Sequence, residues 1–385
     1  MRKNILTLLL ITALVTGLEA QEEAKRPLSD SAYAALITCG QGDEYYLSWG
    51  HSAIRICDTV FGIDVVYNYG TFDFDTPHFY WKFACGRLDY CLSRMTFDHF
   101  MWEYIYEGRA VWEQRLRLSH QELSNLFVML EQNHLPEYRY YQYDFFRDNC
   151  ATRVRDMVSN CLVHRTLSPE TTDSQSLTYR DYLYQPTEQI KLWWRFGVDM
   201  VLGMRCDHRC SNYEAMFSPI EMMRTFDTLT VSDTRQPIAD PAVTLLNDTR
   251  APLSNSFSPT LCFYLLLAVV LILTLLQLKF GWKMKWLDIT LFSVTTLVSL
   301  LIVFLWFFTA HYCTKYNLNI LWASPLFLYF AIRLHKSNRW VVWTQILLLL
   351  AVVAITFIGV PQTLNIAVCP IALTLLVRLL VLCRG

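Results

Sequence analysis

Net charge is what this chain most lacks. Its 33 lysines and arginines face 34 aspartates and glutamates, a balance of −1 over 385 residues. No global field therefore favours nucleic acid or an anionic surface, and no nucleic-acid partner is expected. A phosphate-binding loop is missing too: Gly40-Gln41-Gly42 carries too few glycines at the wrong spacing. The ligands of a closed metal site are also absent. Cys206-Asp207-His208-Arg209-Cys210 has zinc-type side chains, but one C-x3-C with a single His leaves a tetrahedral site open. A short disulfide or two free thiols is the expectation there, and neither a metal nor a soluble cofactor is expected. Dense disulfide stapling is excluded on size. Eight of the twelve cysteines precede residue 255, in a segment large enough to build its own core.

What is abundant is apolar sequence, gathered at the two ends. Arg2 and Lys3, an apolar stretch over 5–15 and Gly17-Leu18-Glu19-Ala20 read as a secretory signal over residues 1–20. Five apolar runs follow near the other end, at 259–278, 289–312, 320–334, 340–358 and 366–383. Each is read as a membrane helix. Arg333 and Arg378 interrupt two of them close to an expected cytoplasmic end, where snorkelling is the simplest account. Lys279, Lys283 and Lys285 occupy the first loop, Lys315 alone the second, Arg333, Lys336 and Arg339 the third, and none the fourth. Positive loops face the cytoplasm. The preceding domain therefore faces away from it, at a bacterial inner membrane or its equivalent. The expected organisation is a signal at 1–20, an exported catalytic domain at 21–255 and a five-helix membrane domain at 256–385. The polar, turn-rich stretch 232–258 reads as a linker.

Two residues of the exported segment point to chemistry. His51 sits in Trp49-Gly50-His51-Ser52-Ala53-Ile54-Arg55, and Cys150 in Phe146-Arg147-Asp148-Asn149-Cys150-Ala151-Thr152. Residues 34–38, 52–57 and 64–69 read as strands, the last two paired. Residues 96–107 and 119–132 read as helices, the second opened by a Ser119/Glu122 capping box. Val154, Met157, Val158, Cys161 and Leu162 keep helical spacing, so Asp148 or Asn149 is an N-cap and Cys150 lies in the first turn. There the helix dipole and free N–H groups favour a thiolate and can hold an oxyanion. His51 can take the thiol proton and return it to a leaving group. Asn68 on the neighbouring strand is the candidate to hold the imidazole, with Tyr67 and Asp64 as alternatives. Ser52, Arg55, Tyr67, Arg147, Asp148, Asn149 and Arg153 are the candidates for substrate contacts. The four tyrosines of 138–143 are either an aromatic wall near Cys150 or strand packing.

Several motifs carry a resemblance. They are Thr38-Cys39-Gly40-Gln41-Gly42-Asp43-Glu44, Gly50-His51-Ser52-Ala53-Ile54-Arg55, Tyr67-Asn68-Tyr69-Gly70-Thr71-Phe72-Asp73, Arg147-Asp148-Asn149-Cys150-Ala151-Thr152-Arg153 and Glu214-Ala215-Met216-Phe217-Ser218-Pro219. Followed by five membrane helices, they resemble the Lnb family of lipoprotein N-acyltransferases of Bacteroides-type bacteria. Gln41 and Ser218 stand where Pro and Leu are expected. The order His then Cys, with the Cys opening a helix, also resembles permuted papain-like enzymes of the NlpC/P60 kind. The fold this implies is α+β: a permuted papain-like domain followed by five transmembrane helices. Cys150 would be the nucleophile and His51 the base. Papain-like relatives often place a His third, and this chain has none on the equivalent strand.

The resemblance implies acyl transfer from a membrane phospholipid, through a Cys150 thioester, to the α-amine of a diacylated lipoprotein N-terminus. One rival is a membrane-tethered cysteine hydrolase: a lipase, amidase or cell-wall peptidase. Another is a non-enzymatic, membrane-anchored binding or assembly module.

Overall fold

The computed structural model describes residues 28–44, 47–168, 177–185, 192–232, 236–250, 257–334 and 337–384. The expected signal segment, residues 1–20, lies outside the described residues. In chain order the elements begin with β1 (Tyr33–Cys39), β2 (His51–Asp58), β3 (Ile63–Thr71), α1 (Phe79–Ala84), β4 (Asp89–Thr96), α2 (Phe97–Glu107) and β5 (Val111–Arg115). Next come α3 (His120–His134), β6 (Tyr140–Gln142), α4 (Cys150–Cys161), β7 (Leu167–Ser168), α5 (Tyr179–Tyr184) and α6 (Leu192–Val201). Then follow α7 (Asn212–Ala215), α8 (Pro219–Phe226), β8 (Thr230–Val231) and β9 (Val243–Leu246). The last five are α9 (Pro259–Phe280), α10 (Lys285–Phe307), α11 (Leu326–Arg333), α12 (Arg339–Ile358) and α13 (Val368–Arg384).

These elements form two compact units that interleave along the sequence. One comprises Met1–Phe79, Leu88–Ser176 and Cys210–Ala251; the other comprises Tyr80–Arg87, Leu177–Arg209 and Pro252–Gly385.

The first unit is built on a seven-stranded sheet in the order β6-β4-β3-β2-β1-β5-β9, antiparallel at every pairing. Ile54, Ile56, Tyr67 and Tyr69 pack on one face against Leu123, Leu126, Phe127 and Leu130 of α3 and Val154 and Val158 of α4. Ala35, Ile37, Ala53 and Val66 pack on the other against Phe100, Met101 and Tyr104 of α2. Cover on both faces is why β1 is buried at every residue after Tyr33 rather than at alternate ones. The capping box of α3 forms as expected, Ser119 accepting from the Glu122 N–H and Glu122 from the Ser119 N–H. Such a cap contributes about 1 kcal/mol, whereas each buried leucine contributes about 1.5–3 kcal/mol. Packing of the apolar stripe therefore dominates.

The stretch read as a linker departs from expectation. Val243–Leu246 is strand β9, paired with β5 at the sheet edge, and Ile238 and Ala239 are buried. An edge strand with Val243 and Thr244 exposed has no clear alternation, so its composition reads as a loop.

The second unit contains the apolar segments. Pro259–Phe280, Lys285–Phe307 and Arg339–Ile358 are long and apolar enough to cross a membrane. The third and fifth expected spans are shorter: an eight-residue α11 after a 3-10 turn at Leu318–Leu321, and α13. Arg378 does not snorkel. It is fully buried and pairs with Asp288 at 2.7 and 3.0 Å, with Thr274 at 2.8 Å and Gln277 at 2.9 Å completing its bonds. Asp288 lies 90 residues away in sequence, so the partner was not visible there. Arg333 is exposed, as expected of a helix-end arginine.

Gly50 sets the entry to β2. Its φ is +79°, and a Cβ would come within 2.5 Å of the Cys39 carbonyl oxygen, a backbone atom that cannot step aside. Gly50→Ala should destabilise the first unit by about 1–3 kcal/mol. In a thermal melt that corresponds to a drop of several degrees, at about 2–4 °C per kcal/mol for a domain this size. An unchanged melting temperature would show that the turn tolerates a side chain.

Candidate functional site

Cys150 is placed by its helix cap. Asn149 has extended backbone, and its side chain accepts from the Thr152 N–H at 2.9 Å while Thr152 Oγ1 accepts from the Asn149 N–H at 2.7 Å. The Asn149 amide also donates to the carbonyls of Phe145 and Phe217, at 2.7 and 2.9 Å. Every polar atom of that side chain is thus committed to fixing the start of α4. Cys150 becomes the first helical residue, where N–H groups lack intrahelical acceptors. The backbone N–H groups of Ala151 and Ser52 both reach its sulfur.

His51 opens β2. The β2–β3 register pairs Ile54 with Tyr67, and its continuation sets His51 opposite Gly70 with Asn68 on the diagonal. Diagonal neighbours are within reach of long side chains. His51 Nε2 lies 2.5 Å from Asn68 Oδ1. With Nε2–H donated to the amide oxygen, Nδ1 is left for the Cys150 sulfur, which hydrogen-bonds the imidazole. Of the three alternatives for this role, Asn68 alone meets the ring. Asp64 is taken by Arg55 at 2.7 Å. Tyr67 faces the other side of β3, fully buried, its hydroxyl donating to Glu131.

The pair polarises itself. Burial pushes the Cys150 thiol up, but the adjacent imidazolium, its hydrogen bond and the Ser52 and Ala151 N–H groups bring it below the ordinary 9.0. Burial pushes His51 down, and the thiolate together with the bonds to Cys150 and Asn68 brings it above the ordinary 6.5. Both directions favour a thiolate–imidazolium pair. Cys39 is the useful contrast. It stands directly opposite His51 across β1–β2, yet burial pushes its thiol up to about 12, outweighing Tyr104 and Arg109. Standing opposite His51 on the neighbouring strand is not enough; Cys150 differs first in its charge interaction and hydrogen bond with the imidazole, and then in the Ser52 and Ala151 N–H groups at its sulfur.

The other expected contacts divide. Arg147, Asp148 and Arg153 line a polar cleft of about 570 Å3 with Asp144, Asp156, Met157 and Asn160. Arg153 pairs with Asp148 and stacks over Tyr141 at 4.0 Å. Arg55 does not join them. Its guanidinium bonds Asp64 and Glu113 and covers the Phe97 ring at 3.5 Å, about 13 Å along the strand from His51 at ~3.3 Å per residue. It ties strands together. Ser52 keeps its side chain fully buried and offers the site its backbone N–H. Tyr67 lies in the core. Cys206 and Cys210 are both buried.

One contributor, Gly70, escaped sequence reasoning, and the tyrosine run of 138–143 divides. Gly70 has φ +88°, and a Cβ there would sit 3.6 Å from Cys150 Cβ and 3.9 Å from His51 Cε1. Its signal was a glycine within a strand pattern, which marks a bulge or close approach; the β3–β4 register does shift between Asn68 and Thr71. Tyr143 comes within 3.9 Å of the same point and stacks on Tyr90 at 4.3 Å. Tyr141 packs in the core beside it, edge-on to Tyr69. Tyr138 and Tyr140 are exposed, so the tyrosine run is half wall and half surface.

The geometry defines a class: a buried Cys beside a half-buried His with an Asn behind the imidazole, on an α+β domain of a chain with membrane-length helices. Residues 21–187 match the Lnb N-terminal periplasmic domain and residues 251–384 match the Lnb transmembrane domain, and the chain belongs to the Lnb family. The N-terminal domain is periplasmic and is followed by a transmembrane helical domain. No curated protein and no solved structure matches the chain.

Alkylation should report the ion pair. Iodoacetamide labelling at Cys150, quantified by peptide mass spectrometry across pH, should lose rate only below the ordinary thiol value of 9.0. His51→Ala should move that midpoint upward and slow labelling at neutral pH by about tenfold per unit moved. Equal profiles for the two proteins would mean that His51 does not activate the thiol.

Proposed function

We propose that this protein is a lipoprotein N-acyltransferase working through a Cys150 thioester. The observation that carries the reading is the Cys150–His51–Asn68 arrangement on the periplasmic domain of an Lnb-family membrane protein. In the first half-reaction the Cys150 thiolate attacks an ester carbonyl carbon of a phospholipid. The negative oxygen that forms is held by N–H groups at the start of α4, the interaction that matters most in such transition states. The carbon–oxygen ester bond breaks, and the leaving alkoxide takes the proton of the His51 imidazolium to give a lysolipid.

In the second half-reaction the free α-amine of a diacylated lipoprotein N-terminus attacks the thioester carbonyl. The amine proton passes to His51, the carbon–sulfur bond breaks and the thiolate–imidazolium pair returns. Asn68 is a positioning residue that keeps Nδ1 aimed at the sulfur. Arg147, Asp148 and Arg153 in the polar cleft along α4 offer both signs of charge to a zwitterionic headgroup or to the lipoprotein backbone. Holding both reactants at one membrane removes much of the entropic barrier to their meeting. The HisCys arrangement also supports a permuted papain-like ancestry for the periplasmic domain.

The test is chemical. Expressed in cells lacking their own lipoprotein N-acylation, the wild-type protein should add a third acyl chain to a reporter lipoprotein, read by mass spectrometry of its N-terminus. Cys150→Ala and His51→Ala should abolish that chain at equal expression. A two-chain N-terminus with well-expressed wild-type protein would refute the transferase reading, and free fatty acid released in its place would indicate a hydrolase.

A further inference from the structure

A cavity of about 490 Å3 lies within the second unit, between α6, α9, α10 and α13. Its volume is in the ~300–1,000 Å3 range of small-molecule sites. Trp322, Thr295, Thr374 and Leu375 form a buried floor, while Leu266, Val294 and Leu301 at the rim are exposed on the outer faces of α9 and α10. Those two helices are long and apolar enough to cross a membrane. The rim therefore opens sideways, toward hydrocarbon.

Apart from Thr290 at the exposed rim, the lining gives water little to bond. Thr295 and Thr374 donate their hydroxyls inside their own helices, to the carbonyls of Leu291 and Pro370 at 2.8 Å each. The Trp322 N–H turns to Asn319 Oδ1 at 2.9 Å. A buried water needs two to four polar partners, so this space is hydrocarbon-filled or empty.

Gly197 is the second observation. It sits inside α6 with nothing within 4 Å of where a Cβ would be, and its φ is not positive. Glycine there costs the helix about 0.5–1 kcal/mol relative to alanine with no turn or close approach to require it. The missing side chain leaves the mouth of the cavity open. The helix itself is anchored. Asp199 takes bonds from Arg180 at 2.9 Å, Tyr184 at 2.6 Å and Asn365 at 2.7 Å, and Asn319 holds its carbonyl at 2.9 Å.

We propose that this cavity seats one acyl chain of a bilayer phospholipid, entering between α9 and α10 under α6. Its use in catalysis rests on the acyl-transfer reading above; its occupancy does not. The test uses full-length Cys150→Ala protein in nanodiscs containing phosphatidylethanolamine with a mid-chain diazirine. After irradiation, mass spectrometry should place adducts on cavity residues such as Val298 and Ile371. Gly197→Leu should cut those adducts by about tenfold, equivalent to about 1.4 kcal/mol, and Gly197→Ala should retain them. Val294→Trp, which narrows the cavity from the rim, provides a second blocked variant should Gly197→Leu fold poorly. Adducts confined to outward residues such as Leu297 and Leu300, or unchanged in folded blocked variants, would overturn the proposal. If the adducts form as expected while wild-type protein transfers no acyl chain, the cavity stands and the transferase reading falls.

Discussion

The contact between His51 and Asn68 across β2 and β3 is the constraint on which the site depends. An imidazole at the start of a strand has two free torsions, and it can take a thiol's proton only through a ring nitrogen aimed at the sulfur. Donation of Nε2–H to the Asn68 oxygen fixes both tautomer and plane. That bond exists because the strands pair in one register, with Ile54 opposite Tyr67. A slip of one residue would turn Asn68 to the other face and bring Tyr67 toward the ring. Core packing prevents the slip, since Ile54, Ile56, Tyr67 and Tyr69 must all face α3 and α4.

The same sheet brings Cys150 to His51. The α4 helix packs Val154 and Val158 on the sheet, and its cap starts the helix at Cys150. The helix end then meets the sheet where Gly70 has no side chain. Burial opposes charge on both partners, and each overcomes it through the other and through N–H donors. Cys39 has the burial without the imidazole contact or the helix start, and its thiol is pushed the opposite way.

In the membrane-spanning unit, polar atoms obey a similar rule. Arg378 and Asp288 are buried as a pair with Thr274 and Gln277 saturating the guanidinium. Arg180 does the same with Asp199 and Asp207. Breaking such a buried pair costs far more than the pair contributes, which is why each arginine has a complete set of acceptors. With the unit's buried charges paired in these clusters, the cavity lining stays apolar.

Much was legible in sequence because it depended on neighbours along the chain. The strands at 34–38, 52–57 and 64–69, the capped helix from Ser119 and the helix start at Cys150 follow from local period and cap chemistry. The apolar runs follow from length and composition. The family resemblance came from short motifs around His51 and Cys150, which the comparisons bear out. Tertiary structure alone decided which residues meet. Asn68 rather than Asp64 or Tyr67 holds the imidazole, because strand alternation and the pairing of Arg55 with Asp64 settle where each side chain goes. Arg55 and Tyr67 fell to structural duties and Asn149 to capping, since their partners come from distant elements. β9 looked like linker because an exposed edge leaves no alternation. Arg378 looked like a snorkelling residue because its carboxylate lies 90 positions away. A chain's own sequence determines local preference; only closure of the fold decides which distant charge, amide or empty space each residue finds.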